Sequence, residues 1–190
     1  YFYNRKEIKD LISYLRLIYN PHDEISLRRV INTPKRGIGE IAIAAIEERA
    51  KQQNISMFEA LETRKELEFK EIIEDLIKRS ESLSLTELID EVLERSGMKK
   101  ELESSKALED EIRLENLMEV KNKIDVLENN IASMNKIPYS VRSIIDNPTL
   151  DFDELAKIFF IEYVKSNFKM QELPLLSIGY AKISPKQDFN

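Results

Sequence analysis

Apolar residues recur three and four positions apart along most of the chain, and this repeat restricts the fold to packed helices. From Arg5 to Tyr19, the residues Ile8, Leu11, Ile12, Leu15 and Ile18 fall on one helical face that must be buried. Asn20-Pro21 ends that helix. A short helix from about Glu24 to Ile31 stops at Asn32-Thr33-Pro34, because the residue before a proline is pushed out of helical geometry. The next, from about Glu40 to Asn54, takes its apolar side from Ile41, Ala44, Ala45 and Ile46, and Ser56 reads as the cap of a turn from Met57 to Leu61. Glu66 to Arg79 presents Leu67, Phe69, Ile72, Ile73, Leu76 and Ile77. Leu85 to Ser96 presents Leu88, Ile89, Val92 and Leu93 before Gly97 caps it. The longest predicted helix runs from Leu108 to about Asn129 on Ile112, Leu114, Leu117, Val120, Ile124 and Leu127, and a loop is expected from there to Pro138. Further helices are expected from Pro138 to Ile145 and from Phe152 to Ser166, with Leu173 to Ile183 as a short strand or extended segment. The expected fold is all-α, with about eight to ten helices.

Composition narrows the chemistry. Only four glycines and six prolines interrupt 190 residues, of which 34% are charged. No run approaches the roughly 20 apolar residues that cross a bilayer, and no signal peptide is visible, so a cytoplasmic location without membrane contact is expected. The absence of cysteine removes disulfides and thiolate chemistry, and a single histidine, His22, argues against a metal site or a Ser/His triad. No catalytic residue and no metal ligand are assigned. Tyr1 in place of methionine reads as a piece of a larger parent. The net charge of −6 hides an asymmetry: residues 1–36 carry eight Lys/Arg against four Asp/Glu. A polyanion should therefore meet the N-terminal end.

Two of the four glycines stand in Pro34-Lys35-Arg36-Gly37-Ile38-Gly39, after a basic pair and before a helix. Glycine adopts backbone angles closed to other residues, and the first amides of a helix lack partners and carry the positive end of its dipole. A hairpin of this kind can hold a phosphate. The plainer alternative is a tight turn in which Glu40 serves the helix dipole. Arg28 and Arg29 are candidate contacts to a phosphate backbone or a solvated helix face. Arg5, Lys6 and Lys9 pair with Glu7 and Asp10 or meet a neighbouring domain, while Arg113, Glu115 and Asn116 read as a polar network between helices. Tyr1, Phe2, Tyr3 and Tyr14 read as packing ahead of base stacking.

The stretches Arg5-Lys6-Glu7-Ile8-Lys9-Asp10, Tyr14-Leu15-Arg16-Leu17-Ile18 with Asn20-Pro21, and Arg29 through Gly39 closely resemble the UvrD/PcrA/Rep family of superfamily 1 DNA helicases. Looser similarity continues through Ser56 to Leu61, Leu88 to Leu93, Ser96-Gly97 and Arg113 to Leu117. In that family these stretches belong to the accessory 2B domain and its junction with a motor domain. The resemblance implies a 2B-like helical domain over residues 1–130, with 131–190 as its helical continuation and a junction segment. It also implies a parent that moves along single-stranded DNA with ATP and magnesium, and an accessory domain that swivels on duplex DNA to regulate unwinding. Carried over by position, it puts Lys35, Arg36, Gly37, Ile38 and Gly39 on the phosphate backbone of double-stranded DNA, contacts that position without reading sequence.

No Gly-x-x-x-x-Gly-Lys-[Ser/Thr] loop is present in the sequence, so this chain alone is expected not to hydrolyse ATP and to hold no cofactor, working with the motor domains of its parent. Ser177 to Ile183 differs from the family's Ile-His and Ala-Lys-Gly motif at Gly179 and Ile183. Two alternatives remain: an interaction or autoinhibitory module with little DNA affinity, and the accessory domain of a helicase-nuclease subunit.

Overall fold

Seven helices make up most of the described part of the computed structural model, residues 4–134. They are α1 (Lys6–Tyr19), α2 (Glu24–Val30), α3 (Glu40–Gln53), α4 (Arg64–Ser80), α5 (Leu85–Arg95), α6 (Met98–Ser104) and α7 (Leu108–Met134). No strand occurs among the described residues, as the all-α reading expects. The expected elements from Pro138 onward, Tyr1, Phe2 and Tyr3, and the side chain of Leu127 lie outside the described residues.

Helix α1 forms the axis of the bundle. Ile8, Leu11, Leu15, Leu17 and Ile18 are almost fully buried, and α2, α4, α5 and α7 all pack around them. Each such side chain contributes roughly 1.5–3 kcal/mol on leaving water. The polar members of α1 are held as well: Asp10 is bridged by Lys6 at 3.2 Å and Arg29 at 3.0 Å, and Glu7 accepts from Asn116 Nδ2 of α7 at 2.8 Å. Sequence-local side-chain caps fix α2, where Asp23 accepts the Ser26 amide, and α4 and α5. Thr63 and Glu66 form a reciprocal capping box at the start of α4, and Ser84 and Glu87 form another at α5. Glu128 of α7 adds a distant cap, accepting from the Leu85 and Thr86 amides at 2.8 and 3.0 Å.

Several expectations are corrected. Ile41 is 89% exposed, and Ala44 and Ala45 are exposed too; of the expected α3 face Ile46 alone is buried, and Ala50 joins it. The reason is that the face turned to the core carries Ala42, Ile43, Ile46 and Ala50, and Arg49 beside it donates to the Ala60 carbonyl at 3.0 Å. Leu67 and Ile112 are also exposed rather than buried. Gly97 does cap α5, but at φ 89° it also starts α6, which the sequence reading did not separate. Finally, α7 runs past Asn129 to Met134, where a loop was expected.

Candidate nucleic-acid interface

The loop joining α2 to α3 is built by one asparagine and one arginine. Asn32 Oδ1 accepts the amides of Arg36 at 2.8 Å and Ile38 at 3.2 Å, closing the chain on itself. Ile38 is then driven into the core at 1% exposure. Gly37 between them takes φ 79°, a left-handed geometry that strains any residue with a Cβ. Removing the shared acceptor in Asn32→Ala should cost roughly 1–3 kcal/mol, read as a lower urea midpoint with unchanged slope.

Arg36 departs from its expected role. Its side chain points inward rather than toward a phosphate: Nη1 donates to the Val30 and Ile31 carbonyls, both at 2.8 Å, and Nη2 donates to Tyr14 Oη at 2.9 Å and the Ser96 carbonyl at 3.0 Å. The guanidinium also lies over the Phe69 ring, 5.1 Å from its centroid. These acceptors are last-turn carbonyls and a buried hydroxyl, which water cannot reach, so a planar fork of donors is what the loop needs there. Tyr14 is buried, donates onward to the Thr33 carbonyl, and has its hydroxyl pKa pushed up by that burial against the opposing pull of Arg36.

The remaining candidates divide by their partners. Arg28 is ion-paired with Glu47 at 2.9 Å, and Arg29 with the buried Asp10. Hydrogen bonds from Arg28 and Lys51 hold the half-buried Glu47 carboxyl below the usual carboxylate range. Lys35, Gly37 and Gly39 stay exposed. A Cβ at Gly39 would meet nothing within 4 Å, so the main chain there is open to close approach. Gly39 is the N-cap of α3 with no side-chain cap, and among the described residues the amides of Glu40, Ile41 and Ala42 have no acceptor. The amides of Arg36 and Ile38, by contrast, are already used by Asn32. The open edge therefore starts at Gly39 and runs into α3, displaced from the centre of the motif.

Two participants escaped the sequence reading. Asn32 was legible only as a helix stop, although its spacing of four to Arg36 is compatible with a side-chain-closed loop. Lys65, at the start of α4, brings its Nζ to 2.5 Å from the place a Gly37 Cβ would take; nothing in the local sequence signals a contact across that separation. Among the described residues no group of three or more His, Cys, Asp or Glu is arranged to hold a metal, and no helix is long and apolar enough to cross a membrane.

Comparison with known proteins adds a family. The sequence profile of the UvrD-like helicase C-terminal domain matches residues 1–174. A protein of Staphylococcus aureus (strain Mu50), the ATP-dependent DNA helicase PcrA, is 48% identical over 129 residues, which covers 62% of this chain and 18% of the relative. The PcrA helicase of Staphylococcus epidermidis (strain ATCC 12228) shows the same identity and coverage. The chain thus spans less than a fifth of the length of the curated relatives it matches.

Proposed function

This chain belongs to the UvrD-like helicase C-terminal domain family, and from that premise we propose that it is the 2B-like accessory region of an ATP-dependent DNA helicase, resting on duplex DNA through the loop between α2 and α3. Residues 1–130 are the core of that region and 131–190 its continuation toward the motor. ATP and magnesium belong to the motor domains of the parent, in the cytoplasm, and this chain contributes grip and orientation without chemistry of its own. By turning on the duplex it regulates unwinding.

The observation that carries this reading is the open main-chain edge at Gly39, Glu40, Ile41 and Ala42, beside a Lys35 that has no partner among the described residues. Unpaired amides at a helix start and a nearby cation suit a phosphate oxygen. The role is backbone positioning, because nothing on this edge is shaped to read a base. Arg28, Arg29 and Arg36 are assigned to the fold, where their partners hold them; Lys35, Gly37 and Gly39 keep the contact, and Ile38 anchors the loop from inside.

A fluorescent duplex titrated at about 50 and about 200 mM salt tests it. Affinity should fall with salt, and Lys35→Ala should weaken binding while lowering the slope of log K against log salt by about 0.9, one phosphate's worth. Binding that ignores salt, or that Lys35→Ala leaves unchanged, would favour an interaction module that touches the motor or a protein partner.

A further inference from the structure

We propose that Lys65 is a second phosphate-binding cation, reaching across Gly37 from α4 so that one backbone phosphate of the duplex is held from both sides of the loop. The inference rests on the duplex-contact reading above and adds a residue from a different helix to it.

Three observations carry it. Lys65 Nζ lies so close to Gly37 that a Cβ there would stand 2.5 Å from it, with Lys65 Cδ and Cε at 3.1 and 3.2 Å. Gly37 therefore has a role besides its φ: its missing side chain is the space the Lys65 stem occupies. Second, α4 is locked to this loop one turn further on, where Phe69 lies under the Arg36 guanidinium. Lys65 and Phe69, four apart, share a helix face, so the Nζ is delivered to the loop by a packed element.

The third observation is charge. Arg28, Arg29, Arg49, Lys51 and Arg64 all have carboxylate partners, whereas Lys35 and Lys65 have none among the described residues. Lys65 also sits in the first turn of α4, where the helix dipole disfavours a cation. Both ammonium groups are exposed and belong to one loop and the helix packed on it, and an anion held by both would neutralise the pair.

The test uses the whole chain and the same labelled duplex, with Lys65→Gln, Lys65→Arg, Lys35→Ala and, as a control, Arg64→Gln next door, whose side chain pairs with Glu68. Lys65→Gln should lose about eight-fold in affinity at about 0.1 M salt and reduce the salt slope by about 0.9, as expected for one released counterion. Its thermal midpoint should stay level or rise, Lys65→Arg should retain binding, and Arg64→Gln should bind like the parent. If the unmutated chain binds and Lys35→Ala weakens it while Lys65→Gln does not, this inference falls and the duplex reading stands. An equal loss in Arg64→Gln, or a loss in Lys65→Gln accompanied by a lower midpoint, also overturns it. A chain that binds no duplex at all overturns both.

Discussion

Arg36→Ala should lower the unfolding free energy by roughly 3–5 kcal/mol, the largest single effect expected in this chain, because the buried Ile31 and Ser96 carbonyls and the Tyr14 hydroxyl lose a donor at once, while the Val30 carbonyl keeps only the Thr33 amide and the Tyr14 hydroxyl. The carbonyls of Val30, Ile31 and Ser96 and the hydroxyl of Tyr14 all receive the guanidinium. Water cannot replace it without opening the packing of α1, α2 and α5. Arg36→Lys should recover only part of the loss, since one ammonium cannot span acceptors arranged for a planar fork. Urea unfolding of the two variants measures this directly. A loss below about 1 kcal/mol in Arg36→Ala, the range of an ordinary surface residue, would show that the side chain is not what holds the loop.

Glu66→Ala is expected to cost roughly 3 kcal/mol, toward the lower end for a broken buried ion pair because Arg49 keeps some access to water. The Glu66 carboxylate is 2% exposed, accepts the Glu62 and Thr63 amides at 3.0 and 3.3 Å, and pairs with Arg49. Burial pushes its pKa up, but the amides of Glu62 and Thr63, the Thr63 hydroxyl and the Arg49 charge together bring it below the ordinary 4.5. The sign follows. A folded-state pKa below the unfolded one means that the charged group stabilises the protein at pH above about 4.5, and that this share is lost as pH falls through the folded value. Glu66→Gln should therefore be less stable than the parent at neutral pH, and the gap should narrow in acid. Thermal midpoints of both proteins between about pH 7 and pH 3 check it; a constant gap would mean that the charge contributes nothing.

The elements legible in the sequence were those whose determinants are local. Helix α1 shows its buried face in five residues and its end in Asn20-Pro21, and α5 shows a face and a terminal glycine. What failed depended on distant partners. The apolar residues at the start of α3 promised a face there, yet Ile41 stands in solvent because the face that meets the core carries Ala42, Ile43, Ile46 and Ala50. Helix α6 was hidden because Gly97 both ends one helix and begins another. The basic pair in the loop was legible as basic but not as divided: Lys35 faces out, whereas Arg36 is turned inward by Tyr14, 22 residues before it, and by Ser96, 60 residues after it. Lys65 is invisible to any local pattern, since only the packing of α4 on the loop brings it to Gly37.

The three-point tether of the turn, through Asn32, the Arg36 guanidinium and the Ile38 peg, has a mechanical consequence. A tip fastened in this way has no hinge of its own, so the helical body and the tip rotate through the same angle. Torque applied to the helical body would reach the tip without slack, and a load on the tip would be felt as far away as the end of α5.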